Sequence, residues 1–385
     1  MTTMAIDNKD KKVLNVPHLR FPEFSGEWVT KSINDLAVVI GGGTPDTTVK
    51  SYWDGEIQWF TPSEIGKNKY VDSSLRTITE VGLNNSSAKL LPPNTILLSS
   101  RATIGECSLS LRECATNQGF QCLVSKKCNV DFLYYLIQTK KKDLIRKSCG
   151  STFLEISANE VRKIQVSVPS DVEQQKIAEL LSLIDERIAT QNNIIEDLKK
   201  LKSAIRKKMF SFLKDEYTES FEINQLLDYE QPTAYIVAND EYSTDTSLTP
   251  VLTANKGFIL GYTDEKFGIY QKGECIIFDD FTMDAKYVSF PFKVKSSAIK
   301  ILTAKPNVNL RFMFEYLSYW ELKSEEHKRH YISEIASLVI ELPSKERQSI
   351  IASLMTSLNS KLDIEAKTKI RYEEQKRYLL SQMFI

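Results

Sequence analysis

Residues 169–178 read PSDVEQQKIA, and residues 343–352 read PSKERQSIIA. A single shift of 174 positions aligns the two stretches, and it also aligns Met209-Phe210 with Met383-Phe384 at their far ends. A repeat that keeps its register over about forty residues without a gap indicates a duplicated structural unit. The chain is therefore organised around two copies of one long element.

The first copy has the residue pattern of a coiled-coil helix. Its apolar residues recur in alternating steps of four and three, which is the spacing of a heptad seam. These seam residues are Ile177, Leu181, Ile184, Ile188, Ile195, Leu198, Ile205 and Met209. The second copy is polar in the middle of its seam, and its apolar seam residues are Ile351, Met355, Leu358, Leu362, Leu379 and Met383. A half-polar seam favours one particular partner, so we predict that the copies pair with each other. Two unrelated surface helices are the alternative interpretation.

The repeat extends backwards from both helices. Residues 164–170 and 338–344 each alternate apolar and polar positions up to a Pro-Ser pair, which predicts a strand that runs into the helix. Residues 129–134 (NVDFLY) resemble 309–314 (NLRFMF), and each opens an aromatic-rich helix. The front halves of the two blocks diverge in sequence. We predict a disordered tail over 1–17, a first domain over 18–168, a first helix over 169–213, a second domain over 214–342 and a second helix over 343–385.

Composition places the 385 residues among soluble globular proteins of two or three domains, with 42% hydrophobic and 26% charged residues. No apolar run approaches the length of a membrane span, and six cysteines without a CxxC pair favour reduced cytosolic thiols over zinc. The formal net charge is zero. Because affinity for DNA depends largely on neutralising phosphates, this balance argues against a chain that grips DNA alone.

Catalytic motifs are missing from the sequence. Neither GxGxxG nor GxxxxGK[ST] is present. His327 and His330 form an HxxH pair, which we interpret as an exposed polar helix face rather than a metal site, and Asp264-Glu265-Lys266 is weak support for a nuclease. With so few histidines no catalytic triad can be assembled. We predict a non-catalytic chain with no metal and no cofactor of its own.

Two segments are locally basic. Residues 199–214 contain seven Lys or Arg and no acid, and residues 126–163 contain nine bases against four acids. The second segment surrounds CGSTF at 149–153, a small-residue turn whose backbone N–H and hydroxyl groups suit a phosphate. A solvated face is the alternative interpretation of both segments.

Short motifs follow one another in a characteristic order over nearly the whole chain. They are VPHLRFPEFSGEW at 16–28, GGTP at 42–45, IQWFTP at 57–62, SSRATIG at 99–105, ATNQGF at 115–120, GST at 150–152, EQQKIA at 173–178, FDDFT at 278–282 and KYVSFPF at 286–292. In this order they resemble the specificity subunit of a type I restriction–modification system. The second helix departs from the family pattern, because it begins with ERQS at 346–349.

The resemblance implies an α+β fold. It would contain two α/β target-recognition domains with small mixed sheets, separated by two long helices packed as an antiparallel coiled coil in a pseudo-two-fold tandem repeat. Each domain would read one half of a bipartite target in double-stranded DNA, and the helix pair would set the unread gap. Two methyltransferase subunits would dock on the helices and restriction subunits would join them, in the cytoplasm, for phage defence. S-adenosylmethionine would belong to the methyltransferase.

The same motifs supply candidate DNA contacts. In the first domain they are Lys67, Lys69, Ser99, Arg101, Thr103, Asn117, Gln118, Ser151 and Thr152, and in the second Asp280, Thr282, Lys286, Tyr287, Lys328 and Arg329. Arg101 is the strongest candidate for a bidentate guanine contact. Asn117 and Gln118 are equally suited to clamping their own turn, and Asp280 to orienting a neighbour. Two rival functions are a self-contained DNA nuclease or modification enzyme, and a coiled-coil adapter without DNA contact.

Overall fold

A computed structural model of the chain describes residues 14–150, 154–213, 219–253, 257–320 and 331–385. The chain divides into two compact units. Unit 1 comprises Met1–Asn192 and Thr368–Ile385, and unit 2 comprises Asn193–Lys367. Each unit therefore combines one sequence block with a segment of each long helix.

The strands of unit 1 are β1 Val29–Ser32, β2 Ala37–Gly41, β3 Trp53–Phe60, β4 Tyr70–Val71, β5 Arg76–Ile78, β6 Ile96–Leu98, β7 Cys107–Ser110, β8 Cys114–Thr116, β9 Gln121–Ser125 and β10 Gln165–Val168. Its helices are α1 Ile33–Leu36, α2 Glu80–Asn84, α3 Val130–Thr139, α4 Lys141–Arg146 and α5 Ala158–Lys163, and they precede the long helix α6 Asp171–Phe212.

The strands of unit 2 are β11 Glu219–Glu222, β12 Leu227–Glu230, β13 Thr249–Leu252, β14 Ile259–Thr263, β15 Cys275–Asp279, β16 Ala285–Val288, β17 Lys293–Val294, β18 Ile299–Ala304 and β19 Val339–Leu342. Its helices are α7 Ile223–Leu226 and α8 Leu310–Tyr319, and they precede the second long helix α9 Lys345–Gln382.

The two long helices start in the same way. The Ser170 hydroxyl accepts a hydrogen bond from Glu173 N, and the Ser344 hydroxyl accepts one from Arg347 N. These serines satisfy backbone donors that a helix start leaves unpaired. At 1.5 Å per residue, the 42 residues of α6 extend about 63 Å. Both predicted helices are confirmed.

The helices pack antiparallel within each unit. In unit 1, Ile177, Leu181 and Ile184 near the start of α6 share a core with Leu379 and Met383 near the end of α9. In unit 2, the end of α6 shares a core with the start of α9, through Ile205, Met209, Phe210, Ile351, Met355 and Leu358. Ile188 packs at the edge of the first core, whereas Ile195, Leu198 and Leu362 are half-buried. The predicted fold class is confirmed.

The divergent blocks have the same sheet order. In unit 1 the larger sheet runs β2-β9-β6-β7-β4, and in unit 2 it runs β12-β18-β15-β16. The smaller sheets run β5-β3-β8 and β14-β13-β17, each with one antiparallel and one parallel pairing. Strand β4 and helix α2 belong to unit 1, which has the longer block. The duplication therefore includes the front halves, where sequence similarity is lost.

A short two-stranded sheet leads into each long helix. Strand β1 pairs with β10 from Val29 opposite Val168, and β11 pairs with β19 from Glu219 opposite Leu342. Strands β10 and β19 are the ones that were predicted to run into the long helices. The aromatic-rich helices α3 and α8 also begin as predicted, with Asn129 and Asn309 as N-caps.

The predicted tail lies mostly outside the described residues, which begin at 14. Within the described part of that stretch, the Asn15 side chain donates to the Trp28 carbonyl at 2.6 Å. Residues from 14 onward therefore contact the first domain. In the described parts of the chain, no helix is both long and apolar enough to cross a membrane.

Candidate nucleic-acid interface

The β6–β7 hairpin of unit 1 carries the strongest predicted DNA contact at its tip. The loop closes through hydrogen bonds from Ser99 N to Glu106 O (2.9 Å) and from Gly105 N to Ser99 O (3.1 Å). Ala102 has a φ of +53° at the turn. Arg101 lies beside it, and its Nε is 2.9 Å from Glu155 Oε1. The Arg101 side chain is 42% exposed and its Nε is buried, so the guanidinium is accessible in part at the protein surface.

Three further segments meet this hairpin at the same edge of the sheet. Ser100 N donates to Gly119 O at 2.8 Å, and Ile156 N donates to Ser100 O at 3.1 Å. Gly43 N donates to Thr116 O at 2.8 Å, which joins the GGTP loop to the same group. The sheet thus gathers motifs that are far apart in sequence into one surface, which we call the first loop cluster (43–45, 99–105, 117–119 and 154–156).

The asparagine and glutamine of this cluster have different environments. The Asn117 Oδ1 accepts a hydrogen bond from Gly119 N at 2.8 Å, so its side chain clamps its own turn. Gln118 is exposed and its Oε1 accepts a hydrogen bond from the Thr44 hydroxyl. A Cβ on Gly42 would lie 2.0 Å from Asn117 O, so the close approach of these loops requires glycine there.

The β15–β16 hairpin is the counterpart in unit 2. Asp279 Oδ1 accepts hydrogen bonds from Phe281 N at 2.8 Å and Thr282 N at 2.9 Å, which shapes the turn. Met283 has a φ of +60°, and Thr282 is exposed at the tip. Lys286 is half-buried on β16 opposite Ile277. Both hairpins therefore end in a left-handed residue next to an accessible polar side chain.

Three of the predicted contacts have their side chains inside the protein. The Lys69 side chain is 6% exposed, and its ammonium lies 2.6 Å from Asp131. The Ser99 hydroxyl is buried and donates to Arg101 O at 2.8 Å. Asp280 is 1% exposed, lies 3.3 Å from Lys300 and accepts a hydrogen bond from Tyr331 N. Ser99 and Asp280 thus support their loops from within, whereas Lys69 binds α3 and α6 through Asp131 and Ser182.

The remaining predicted residues divide into three groups. Lys67 and Thr103 are exposed, and Thr103 also donates to the Ser99 hydroxyl at 3.1 Å. Tyr287 packs towards α8, with the Arg311 guanidinium 3.6 Å from its ring centre, and burial raises the pKa of Tyr287 to about 12. Ser151, Thr152, Lys328 and Arg329 lie outside the described residues, as do His327 and His330.

Three of the seven basic residues at 199–214 form the following ion pairs. Lys199 lies 2.9 Å from Glu196 and Lys200 lies 3.6 Å from Asp197. Arg206 lies 2.8 Å from Glu315, whose side chain is fully buried. Among the described residues, no group of three or more His, Cys, Asp or Glu side chains could hold a metal ion.

The sequence interpretation missed the contact that joins each domain to its helix. The Gln174 side chain donates to Pro169 O at 3.1 Å and accepts from Asn129 N at 3.0 Å. In unit 2, Gln348 donates to Pro343 O at 2.9 Å and accepts from Asn309 N at 2.9 Å. We call each of these a glutamine clamp. The repeat contained a sign of this contact, because Gln174 and Gln348 align and are among the few residues common to the two helix starts.

Comparison with known proteins identifies this duplicated arrangement. The family model described as the type I restriction modification DNA specificity domain matches residues 25–200 and 215–374. The chain belongs to this family. The two matched ranges correspond to the two copies of the repeat, and the resemblance seen in the sequence is confirmed.

Relatives of this specificity-domain chain support the assignment. The type I restriction enzyme MjaIX specificity subunit of Methanocaldococcus jannaschii is 37% identical over 216 residues, which are 55% of this chain and 50% of the relative. The EcoR124I/EcoR124II specificity subunit of Escherichia coli is 39% identical over 178 residues, 41% of this chain and 43% of the relative. The match thus spans half or less of the length of these relatives.

A solved structure has the same fold. The type I restriction–modification S subunit from M. genitalium superposes with a TM-score of 0.63 at 16% identity, over 96% of this chain and 99% of that chain. At this identity the likeness concerns the fold. It includes both specificity domains and both long helices.

Proposed function

We propose that this chain is the sequence-specific DNA-binding subunit of a type I restriction–modification complex, in which each recognition domain reads one half of a bipartite target. The observation that carries the proposal is the pair of glutamine clamps. Two domains with one sheet order are attached through equivalent hydrogen bonds to the starts of two long helices. Each attachment fixes one recognition domain at the start of one long helix.

The first loop cluster is the proposed reading surface of unit 1. Arg101 can offer guanidinium donors to guanine O6 and N7, and Gln118 can pair with adenine, which are the side-chain types that suit these bases in the major groove. Lys67 and Thr103 would contact phosphates. In unit 2 the corresponding contacts are Thr282 and Lys286. The buried groups Ser99 and Asp280 would support these loops, and Lys69 would help to hold the domain on α6.

The partners are proposed on the same basis. Two methyltransferase subunits would dock on the helix pair, and restriction subunits would bind to them in the cytoplasm. S-adenosylmethionine and the methyl transfer would belong to the methyltransferase, so this chain binds and positions without catalysing. The net charge of zero agrees with a chain that shares the neutralisation of DNA phosphates with its partners.

The decisive experiment uses the complex reconstituted with methyltransferase subunits and measures methylation on a library of DNA duplexes. Arg101→Ala should relax discrimination at one base pair of one half-site, by about 1–3 kcal/mol, because a bidentate contact is lost. Arg112→Ala is the matched control, since Arg112 is also exposed and paired, with Asp72 at 2.6 Å. If both variants change only the salt dependence of binding, Arg101 does not read bases.

Two rival functions make opposite predictions. A self-contained nuclease or modification enzyme would cleave or methylate DNA when the purified chain is incubated alone with Mg²⁺ and a methyl donor. A coiled-coil adapter would leave the methylated sequence unchanged when residues 18–168 are replaced by the same block of a relative. A DNA-binding specificity subunit should not cleave or methylate DNA when it is alone. Replacement of its block should change the methylated sequence in one half-site only.

A further inference from the structure

One buried position has a different chemistry in the two units although it occupies the same place in the fold. It lies six residues after the N-cap of the domain helix, at Tyr135 in α3 and Glu315 in α8. Both residues are fully buried. Each faces a long-helix residue that lies eleven positions after the clamp glutamine, which is Asp185 in unit 1 and Asn359 in unit 2.

In unit 1 the domain supplies a neutral donor at this position, and its nearby Lys69, 3.2 Å from the Tyr135 hydroxyl, is balanced by Asp131 of the same domain. The Tyr135 hydroxyl donates to Asp185 Oδ2 at 2.6 Å. Lys376, on the end of α9, lies 2.7 Å from Asp185 Oδ1. Asp185 and Lys376 are 16% and 19% exposed, so their charges are largely removed from water and balance each other.

In unit 2 the domain supplies the acid. Glu315 accepts hydrogen bonds from Asn359 Nδ2 at 3.2 Å and from Arg206 Nη2 at 2.8 Å. Lys202 occupies the helix position equivalent to Lys376. Burial lowers the pKa of Lys202, and the Glu315 carboxylate opposes that shift. In unit 2, α6 therefore presents the cations Lys202 and Arg206, and α9 presents the Asn359 amide. Glu315 of the domain neutralises Arg206.

We propose that the pairs Tyr135–Asp185 and Glu315–Asn359 form a matching code that seats each recognition domain on its own helix pair. If the domains were exchanged, Glu315 would face Asp185 and place two carboxylates side by side. Tyr135 would then face Asn359 and leave Arg206 without its acid. Both arrangements are unfavourable because a buried charge needs a partner of opposite sign.

The code means that each domain is matched to the helix segments on which it sits, so an exchange of the two blocks in the sequence leaves both interfaces mismatched although the blocks have the same sheet order. The order of the half-sites along the target follows the order of the blocks in the chain, and the code penalises a chain in which that order is reversed. This consequence for reading order rests on the proposed function. The seating itself does not, and it can be tested without DNA.

The first test exchanges residues 29–168 with residues 219–342 in the full chain, and measures thermal unfolding with and without the double change Asp185→Asn and Asn359→Asp. The exchanged chain should melt well below the original. The double change should raise its midpoint by roughly 5 °C, because it restores a matched set in both units. An unchanged or lower midpoint after the double change would overturn the code.

The second test keeps the native domain order, in case the exchanged chain does not fold. Tyr135→Glu should lower the midpoint by roughly 5 °C or more, and addition of Asp185→Asn should recover part of the loss by rebuilding the set found in unit 2. Tyr135→Phe is the control, since it removes the hydroxyl without adding charge and should gain nothing from Asp185→Asn. If Asp185→Asn rescues neither variant, the code is wrong even if the chain reads DNA.

Discussion

The two long helices begin with the same buried glutamine but differ at the residue before it. In unit 1 that residue is Glu173, which is 2% exposed and binds both Arg20 Nε and Arg20 Nη2 at 2.8 Å. Trp28 Nε1 donates to the same carboxylate at 3.3 Å. In unit 2 the equivalent residue is Arg347. The glutamine is thus common to both units, whereas the carboxylate belongs to unit 1, where the segment from residue 14 to Trp28 packs.

The difference also involves the far ends of the helices. Leu19 N donates to Gln382 O at 2.9 Å, so the segment that binds the start of α6 also binds the last turn of α9. Phe384 packs against Trp28 with their ring centres 6.5 Å apart. Both units therefore have the glutamine clamp, which orients the domain. The contacts at the helix ends differ between the units, because the Glu173–Arg20 pair belongs to unit 1. Four predictions test this comparison.

The largest expected difference between the units is in alkaline solution. Burial raises the pKa of four thiols in unit 1 to about 12, namely those of Cys107, Cys114, Cys122 and Cys128. Among the described thiols of unit 2, burial raises the pKa of Cys275 alone to about 12. Because the folded pKa lies above the ordinary value of 9.0, the stabilisation is complete below pH 9 and is lost as pH rises towards 12. At pH 10 each thiol should cost about 1.4 kcal/mol, so the four thiols should lower the stability of unit 1 by about 6 kcal/mol and Cys275 should lower that of unit 2 by about 1.4 kcal/mol.

Limited proteolysis at pH 8 and pH 10, with fragments identified by mass spectrometry, measures this difference. Unit 1 should become susceptible first. A chain with Cys122→Ala is the control, because it should lose less stability between the two pH values than the original. Equal susceptibility of the two units at pH 10 would contradict the prediction.

The second prediction concerns the carboxylate found in unit 1. Glu173→Ala leaves Arg20 largely buried without its acid, and breaking such a pair should lower the free energy of unfolding by about 3 kcal/mol. Denaturant unfolding monitored by tryptophan fluorescence measures the loss. Glu23→Ala is the matched control, because Glu23 forms an exposed ion pair with Lys176 and should change stability by less than about 1 kcal/mol. Similar losses for both variants would remove the distinction between the two helix starts.

The third prediction concerns the contact that the units have in common. Gln174→Ala and Gln348→Ala each leave a buried backbone donor and acceptor unsatisfied, so each should cost about 2 kcal/mol. Unfolding of the two single variants and of the double variant measures the effects. The losses should be equal and additive, since the sites lie in different units. A loss at only one site would mean that the clamp is not a shared device.

The smallest expected effect is at the N-caps of the domain helices. Asn129 and Asn309 accept hydrogen bonds from Phe132 N and Phe312 N, both at 3.0 Å. Replacement of either asparagine by alanine should cost about 1 kcal/mol, which is typical of an N-cap. Replacement by aspartate should retain most of the stability, since aspartate also caps. The same unfolding assay distinguishes the two substitutions, and an aspartate variant as unstable as the alanine variant would rule out a capping role.

The sequence was sufficient where the signal is local or repeated. The heptad seam, the strand before each long helix and the aromatic-rich helices α3 and α8 each depend on residues within a few turns of one another, and all of them form as predicted. The duplication itself was visible because the helix starts share one register. These features follow from periodicity and capping, which the order of residues encodes directly.

Only the tertiary structure decided which polar residues are accessible. Lys69, a predicted DNA contact, is buried because Asp131 and Ser182 approach it from distant parts of the chain. The common sheet order of the divergent blocks was equally invisible, since strand pairing depends on contacts between residues far apart in sequence. The sequence by itself therefore determined the two long helices and their duplication. Long-range packing determined which side chains on the two domains face outward, because burial is a property of neighbours that a linear pattern does not contain.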